Sequence, residues 1–374
     1  MAAADLDVKD FMADGRKMDI IRQKMHRLRR AVLFKAWRIG VNRITILLFI
    51  FTLISGCSER KKMSLGGENV IAVIADSSDW VKYRPLLEKV FERKIYTPQT
   101  EKLLTLFWSP PSMLNNRLRQ KNLLILGTLS KEGKTTKIIK DMLGSNVIAK
   151  IRKGEIYVVI TDNQFARDQK LMILSAWKEE DLRIKIEENS YFLFSKFNDA
   201  ANERARTRVL GKRTLSRLSE SIMDDHGYTF KIPLDYKVVL DDKENHILWL
   251  ASHGVRRWFL VQWEEVDDIP VIDVDWILNN RDKLGVSLFD SVRVNRDYVF
   301  SERIKIGDWV VLKVRGLYEK IDEHLGGPYV SFAFYDEKTG RRYFIDGAVF
   351  SPGDEKLKYL RTLELMAKSF RTKD

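Results

Sequence analysis

The chain has 374 residues, of which 45% are hydrophobic and 11% aromatic, so it can bury at least one sizeable core. This length suggests two domains. The formal net charge is +13, but residues 1–56 alone hold 11 Lys or Arg against 5 Asp or Glu. The remaining basic excess is modest and spread along the chain, so we expect no nucleic-acid binding. The single cysteine, Cys57, excludes an intramolecular disulfide and a cysteine-based metal site.

The residues before Cys57 have the pattern of a secretory signal. Thirteen uncharged, mostly apolar residues, from Ile44 to Gly56, follow a basic segment. A membrane-spanning helix needs about 20 apolar residues, whereas the apolar region of a signal has roughly 7 to 15. Residues 54–57 (ISGC) resemble the lipobox of bacterial lipoproteins, which implies cleavage between Gly56 and Cys57 and lipid on Cys57. The alternative is a short buried helix with an ordinary buried cysteine.

Residues 1–42 lie in front of this signal region, 43–56. A signal normally begins close to its basic segment, so we expect a misassigned start, with translation beginning near Met25 or at Val41. Two alternatives remain open. The extension is either a basic amphipathic segment on the cytoplasmic side or an interfacial helix on anionic lipid.

The N-terminal half of the processed chain is predicted to be α/β. Residues 57–67 are polar and lack periodicity, which predicts a tether. Within residues 68–212, apolar runs predict strands at 69–76, 103–109 and 122–129, with helices after the first strand and between the others. Two strand-like runs flank Lys153-Gly154, which predicts a hairpin over 146–162. Residues 164–225 are predicted to be mainly helical.

The C-terminal half, residues 213–374, is predicted to be an antiparallel α+β half. Four short strand-like runs follow one another between 228 and 265, and three more lie within 308–350. A helix is expected over 274–289, and a closing helix is expected to begin at Ser351-Pro352. The closing helix would present an apolar face of Leu357, Leu360, Leu363, Met366 and Phe370. The predicted fold class is α+β, with an α/β N-terminal half and an antiparallel sheet with flanking helices in the C-terminal half.

Four stretches of the chain resemble one known family. They are GENVIAVIAD (67–76), TPQTE (97–101), RGLYEKIDEHLGGPYVS (315–331) and GAVFSPGDEKLKYLRTLE (347–364). Together they resemble a family of Gram-negative lipoproteins known as domain of unknown function 4837, over 67–370. Tyr318 and Tyr329 stand where the family is expected to have Trp and Phe. The resemblance implies a lipoprotein and supplies no activity.

The third stretch is the candidate binding surface. Its glycines and proline would let the backbone approach a partner closely, and its arginine could hold a carboxylate or phosphate in bidentate fashion. The alternative is that the glycines shape a loop between two strands and the arginine pairs with an acidic neighbour. The residues of this candidate surface are Arg315, Gly316, Gly326, Gly327 and Pro328.

The sequence ILGTLSKEGKTTKIIKDML, residues 125–143, resembles a phosphate-binding loop followed by a helix. Thr128 stands where such a loop needs its first glycine, and the predicted hairpin does not fit a parallel sheet. A chain processed at Cys57 would also fold away from cytoplasmic nucleotides. We interpret the segment as a charged loop leading into an exposed helix, and a P-loop-like NTPase remains the second alternative function.

Other chemistry-bearing residues show no site pattern. Six acidic residues lie within 264–275, but their spacing fits no calcium loop, and Asp273 is expected to cap a helix. The histidines lack zinc-site spacing, and no Gly-x-Ser-x-Gly motif is present. We therefore expect no metal, cofactor or catalytic residues. The strand tryptophans Trp249, Trp258, Trp263 and Trp309 are expected in the core.

These observations together predict a lipid-anchored cell-envelope protein. We expect a non-enzymatic module that binds an envelope protein or another envelope component and contacts the membrane through lipid on Cys57. The residues after Cys57 contain no acidic retention or surface-export run, which favours the outer membrane, facing the periplasm. The alternative is an envelope hydrolase with a dispersed site.

Overall fold

The computed structural model of the chain describes residues 61–211, 213–289, 291–320 and 325–373. The predictions for residues 1–60, including signal cleavage at Gly56 and lipidation of Cys57, lie outside the described residues. The chain divides into two compact units. The described part of the N-terminal unit is 61–91 with Thr105–Phe197, and the C-terminal unit contains Glu92–Leu104 and the residues from Asn198 onward.

The secondary structure of the described residues is mixed. The strands are β1 Val70–Ile74, β2 Lys94–Ile95, β3 Glu101–Lys102, β4 Thr105–Ser109, β5 Asn122–Thr128, β6 Val158–Asp162, β7 Lys170–Ala176, β8 Tyr228–Thr229, β9 Tyr236–Asp242, β10 Ile247–Ser252, β11 Arg256–Glu265, β12 Arg293–Ile306, β13 Trp309–Lys320, β14 Leu325–Asp336, β15 Arg341–Phe350 and β16 Arg371–Thr372. The α-helices are α1 Ser77–Phe91, α2 Leu114–Arg117, α3 Lys134–Met142, α4 Ser145–Arg152, α5 Glu179–Glu188, α6 Ser190–Leu210, α7 Ser216–His226, α8 Val274–Leu288 and α9 Leu357–Lys368.

The N-terminal unit is built on a five-stranded, mostly parallel sheet. Its strand order is β4-β1-β5-β7-β6, with β6 antiparallel to β7 and the other pairs parallel. All seven residues of β5 are buried, as is typical of a parallel strand covered on both faces. After β1, the chain adds β4 on one side of β1 and then β5 on the opposite side. The carboxyl ends of β1 and β5 therefore form a topological switch point.

Two predictions for the N-terminal unit are wrong. Residues 145–152, predicted as one arm of a hairpin, form α4, which buries Val147 and Ile151 on one face. Gly154 follows this helix in the left-handed conformation (φ 73°) and ends it, instead of turning a hairpin. Residues 170–176, predicted as helical, form the inner strand β7. A short apolar run fits a strand or a buried helix equally well, because periodicity alone does not separate them.

The end of the predicted tether, 57–67, also differs from the prediction. Met63 forms a parallel bridge with Arg167, and Leu65 forms one with Gln120. The Leu65 amide donates to the Arg119 carbonyl at 2.7 Å. Residues 63–65 are therefore held against the N-terminal unit by backbone hydrogen bonds, which a polar composition alone does not predict.

The C-terminal unit is built on a seven-stranded antiparallel sheet in the order β12-β13-β14-β15-β11-β10-β9. One face packs against α7 and α9 in a core that includes Phe259, Val261 and Leu363. The opposite face packs against α8 in a core that includes Leu260 and Ile277. Successive residues of β11 thus face opposite cores, as the twofold periodicity of a strand requires. The predicted fold class, α+β with an α/β N-terminal half, is confirmed.

Two elements of the C-terminal unit were mispredicted. The closing helix begins at Leu357, because Ser351 turns the chain by hydrogen bonding the Asp354 carboxylate at 3.0 Å. Its expected apolar face is buried, with Leu357, Leu360, Leu363 and Met366 in the core together with Phe370, which follows the helix. The edge strand β12, residues 293–306, was not predicted, because charged residues interrupt its apolar positions. Among the described residues, no helix combines the length and apolar character needed to cross a membrane.

Candidate functional site

Three of the four family-like stretches meet at one cleft of about 690 Å³ in the C-terminal unit, which we call the motif cleft. TPQTE contributes Pro98 and Gln99 to its lining. The RGLY stretch contributes 317–320 and 325–327, and the GAVFSPGDEK stretch contributes residues within 350–356. Segments that lie far apart in the sequence are therefore brought together here.

The TPQTE stretch is held in place by a capping interaction. The Glu101 carboxylate accepts hydrogen bonds from the backbone N–H groups of Lys356 (2.7 Å) and Leu357 (2.9 Å), where α9 begins. The first N–H groups of a helix have no partner within the helix, and the helix dipole favours a negative charge there. The Thr97 hydroxyl lies 3.1 Å from the same carboxylate. This stretch thus fixes one wall of the motif cleft.

Gly316 lies inside β13, and Gly326 and Gly327 lie inside β14, so these glycines do not shape a loop between two strands. A Cβ atom at Gly316 would lie 2.5 Å from the Tyr298 carbonyl and 2.7 Å from the Tyr329 hydroxyl. A Cβ atom at Gly327 would meet the Val349 carbonyl and lie 2.8 Å from the Tyr318 hydroxyl. The glycines therefore make room for two tyrosine rings that cross the sheet. Gly326 is half-buried and Pro328 is buried in β14.

Arg315 belongs to a network of two cations and two carboxylates. Its guanidinium lies 3.3 Å from Glu302 and 3.8 Å from Glu364. Lys313 is buried between the same two carboxylates, at 3.1 Å and 3.0 Å. Burial alone would raise the pKa of Glu364, but Lys313 and Arg315 hold that pKa below its usual value. The arginine thus pairs internally, and its role in binding a partner stays a prediction.

An aromatic patch beside Arg315 combines two residues of the edge strand β12 with Tyr96, which follows β2, and we did not predict it from the sequence. Tyr96, Tyr298 and Phe300 are 41%, 40% and 47% exposed. The rings of Tyr96 and Phe300 stack with centroids 4.8 Å apart, and Tyr298 lies 5.9 Å from Tyr96. Phe300 is the direct cross-strand partner of Arg315. The spacing of Tyr298 and Phe300 is the only local signal for this patch, and it is informative only once β12 is recognised as a strand.

The N-terminal unit has a cleft of about 470 Å³ at the carboxyl ends of β1, β4 and β5, which we call the switch-point cleft. Gly133 and Lys134 of the Gly-Lys-Thr sequence line this cleft. The Thr135 backbone N–H, at the start of α3, donates to the Asp76 carboxylate at 3.1 Å. A Cβ atom at Gly133 would lie 2.5 Å from the same carboxylate. The parallel pairing of β5 is compatible with a P-loop sheet. The Asp76 carboxylate, however, occupies the place at the start of α3 that a phosphate takes in a P-loop.

The acidic stretch 264–275 is accounted for by pairing and capping. Asp273 accepts a hydrogen bond from the Trp276 backbone N–H at 2.7 Å and caps α8, which confirms the predicted cap. Glu264 lies 2.6 Å from Arg342. Within the described parts of the chain, no group of three or more His, Cys, Asp or Glu side chains is arranged to hold a metal ion.

The histidines and tryptophans have structural contacts. His226 is buried and lies 3.1 Å from Asp241, and His246 stacks on Trp263 at 3.7 Å. His26 and His324 lie outside the described residues. The predicted core role of the strand tryptophans is confirmed, since Trp249 and Trp258 pack against the α8 core, and Trp263 and Trp309 against the opposite core.

These features define an α+β chain with a parallel-sheet unit and an antiparallel-sheet unit, each with its own cleft. Residues 216–369 match the family described as Domain of unknown function (DUF4837), and residues 64–210 match a second one, Domain of unknown function (DUF8532). Residues 216–369 thus match the family that the resemblance predicted, whereas the resemblance was expected over 67–370. The stretches at 67–76 and 97–101 lie within the second match.

No curated protein matches the chain. A crystal structure from Bacteroides thetaiotaomicron is 11% identical, with a TM-score of 0.25, over 40% of this chain and 46% of that chain. The Saccharomyces cerevisiae Ran-binding protein Mog1p is 11% identical, with a TM-score of 0.29, over 40% of this chain and 91% of that one. LpqN of Mycobacterium tuberculosis, involved in cell envelope biogenesis, is 10% identical, with a TM-score of 0.27, over 39% and 83%. Scores this low support no inference.

Proposed function

We propose that this protein is anchored to the outer membrane, facing the periplasm, through lipid on Cys57. In this proposal its C-terminal unit binds an envelope protein at the motif cleft and the adjoining aromatic patch. The observation that carries the binding role is the convergence of three distant family-like stretches on one cleft. The residue types that surround it are those of a recognition surface rather than of a catalytic centre.

The aromatic patch has the composition of a protein-binding hot spot. Tyrosine, phenylalanine and arginine are enriched in protein interfaces, and energetically dominant positions cluster where aromatic anchors can be fully desolvated. Tyr96, Tyr298 and Phe300 expose large apolar surface next to Arg315. Glu302, which pairs with Arg315, is 48% exposed. A carboxylate of a partner could therefore take over this pairing without leaving Arg315 unpaired.

The anchoring role rests on the sequence before Cys57. The run from Ile44 to Gly56 has the length of a signal apolar region, and small residues precede the cysteine. Each buried lipid methylene adds about 0.8 kcal/mol of membrane affinity, so a multiply acylated cysteine holds a protein stably. Such an anchor suits a binding module that acts at a membrane surface.

The alternative envelope hydrolase has less support at this cleft. The described residues that line the motif cleft include no histidine, serine or aspartate. Acyl or glycosyl hydrolysis requires an activated nucleophile or a pair of positioned acids and bases. The one lining carboxylate, Glu319, lies 3.2 Å from the Asn295 amide. The arrangement favours recognition over hydrolysis.

Site-specific photo-crosslinking in cells tests the binding role. A photoreactive residue is placed at Gln99, which is exposed and lines the motif cleft, and the matched control position is Glu244, exposed in the β9–β10 turn. We expect one defined protein adduct from Gln99 and none from Glu244. The Gln99 adduct should be lost when Phe300→Ala is added. Equal adducts at both positions, an adduct insensitive to Phe300→Ala, or none at Gln99 would contradict the proposal.

A further inference from the structure

The switch-point cleft lies where open α/β sheets bind ligands. In such sheets the crevice outside the carboxyl ends of the strands, at the point where strand order reverses, is the usual ligand site. Here the loops after β1, β4 and β5 line a cleft of about 470 Å³. This volume is within the range of small-molecule sites, which is about 300 to 1,000 Å³. The location by itself identifies no ligand, so the chemistry of the lining decides.

Asp79, in the first turn of α1, lines this cleft with an unsatisfied buried carboxylate. The residue is only 5% exposed, and its Oδ1 atom has no hydrogen-bond partner among the described residues. The nearest cation, the Lys131 ammonium, lies 3.7 Å away, which is too far for a hydrogen bond. The Lys131 ammonium contacts Glu179 instead. A buried acceptor without a donor is costly, so the site is suited to a ligand that supplies one.

A second carboxylate makes the cleft favourable for a positive charge. Asp76 lines the same cleft and uses its Oδ2 atom to accept the Thr135 N–H. Burial and the nearby charge of Asp76 raise the pKa of Asp79, whereas the charge of Lys131, a weak hydrogen-bonding contribution from its distant ammonium and the charge of Lys82 lower that pKa. Because Asp76 already occupies the start of α3, a phosphate is disfavoured there. The charged side chains that line the cleft are Asp76, Asp79, Glu132, Lys131 and Lys134. With three carboxylates against two ammonium groups, the lining carries one negative charge in excess and favours a ligand cation.

We propose that the switch-point cleft binds a small organic molecule through a primary ammonium group that donates a hydrogen bond to Asp79 Oδ1. An ammonium group carries three donors and one positive charge, so it satisfies the open oxygen and offsets the excess negative charge of the lining. A quaternary ammonium has no donor, and a neutral hydroxyl has no charge. This site belongs to the N-terminal unit and is independent of the proposed protein-binding surface at the motif cleft.

Calorimetry on the full chain, purified in mild detergent, tests the ligand class. The probes are three primary amines (ethanolamine, putrescine and lysine methyl ester), with ethylene glycol and choline as neutral and quaternary comparisons. We expect at least one primary amine to bind at least about tenfold more tightly than both comparisons, a difference of 1.4 kcal/mol. Absence of binding by all three amines at about 10 mM, well above a millimolar dissociation constant, would overturn the proposal. Equal binding of ethylene glycol or choline would also overturn it.

Two variants with opposite expected signs test the residues. Asp79→Asn should weaken amine binding about tenfold, because it removes the charge and keeps the shape. Lys131→Met should strengthen binding about threefold, because it removes the competing cation. The matched control, Asp141→Asn on the exposed face of α3, should leave affinity unchanged. Unaltered affinity in Asp79→Asn, or weaker binding in Lys131→Met, would contradict the proposal. Should Asp79→Asn fail to fold by circular dichroism, the Lys131→Met result decides.

Discussion

The two units place their polar groups in different parts of the sheet. In the N-terminal unit the strand interiors are apolar, and the polar side chains follow the strands, as Asp76 follows β1. In the C-terminal unit charged side chains lie within the strands and are buried in pairs, such as Asp346 of β15 with Arg281 of α8. The position of a ligand site at the carboxyl ends of parallel strands follows from the strand order alone. A buried charge in a strand depends on a distant partner, so single substitutions should be most damaging in the C-terminal unit.

The largest expected effect is at the buried pair of Asp346 and Arg281. Arg281 Nε lies 3.1 Å from the Asp346 carboxylate, and the Ser331 hydroxyl donates to that carboxylate at 2.6 Å. Asp346→Ala leaves a buried guanidinium unpaired, which typically costs about 3 to 5 kcal/mol. We expect this loss in the free energy of unfolding, measured by urea denaturation.

The control for this prediction is an exposed pair in the same sheet. Glu264 pairs with Arg342, and the Glu264 side chain is 51% exposed. Glu264→Ala should change the free energy of unfolding by less than about 1 kcal/mol. Similar losses in both variants would show that burial does not distinguish the two pairs, and the contrast between the units would lose its basis.

The second expected effect concerns a strand glycine. Gly327→Ala would push a Cβ atom against the Val349 carbonyl and the Tyr318 hydroxyl, so the strands must move apart, at a cost of about 1 to 3 kcal/mol. Gly154, which ends α4, is the matched control in the N-terminal unit. It has a positive φ of 73° and no atom within 4 Å of an added Cβ. Gly154→Ala meets no atom but forces alanine into the left-handed conformation, which should cost about 1 to 2 kcal/mol. A larger loss at Gly154 than at Gly327 would contradict the packing argument.

The third effect is a pH dependence at Glu364. Lys313 and Arg315 hold the pKa of this buried carboxyl below its ordinary value of 4.5, despite its burial. Its stabilising contribution is therefore fully present above pH 4.5 and is lost as pH falls through the lowered folded-state pKa. Glu364→Gln should cost about 2 kcal/mol at pH 7, and the difference from wild type should shrink in strong acid. Urea denaturation across pH measures this, and a difference constant with pH would contradict it.

The smallest effects compare two carboxylates that act on helix starts, one in each unit. Glu101 accepts from two backbone N–H groups at α9, whereas Asp76 accepts from one at α3. Removing a helix cap typically costs about 0.5 to 2 kcal/mol. We expect Glu101→Ala to be destabilising by about 1 to 2 kcal/mol and Asp76→Ala by about 1 kcal/mol or less. Thermal unfolding of both variants measures the order, and the reverse order would contradict this account.

Local sequence patterns were sufficient for much of the fold. Apolar runs located β1, β4 and β5, and Asp273 was identified as a helix cap from its position alone. The α4 helix was predicted as a strand and the β7 strand as a helix, because a short apolar run fits either structure. The edge strand β12 was missed because most of its residues are exposed and charged residues interrupt its apolar positions.

The candidate sites were less predictable for a physical reason. The Glu101 cap on Lys356 joins residues 255 positions apart, and no local pattern indicates such a contact. The aromatic patch combines Tyr96 with Phe300 of the unpredicted strand β12. The unsatisfied state of Asp79 depends on which donors the folded chain brings near it. A single sequence identifies the residue types, but long-range pairing decides which of them meet.

The most direct measurement of the central claim is lipid labelling at Cys57. Cells of a Gram-negative host that produce the chain are grown with labelled palmitate, and the purified protein is analysed by mass spectrometry. We predict label in the wild type and in a Ser58→Ala control, none in Cys57→Ser, and a mature chain that begins at acylated Cys57. A purified native polypeptide that retains residues 1–56 and carries an unmodified Cys57 thiol would contradict the account.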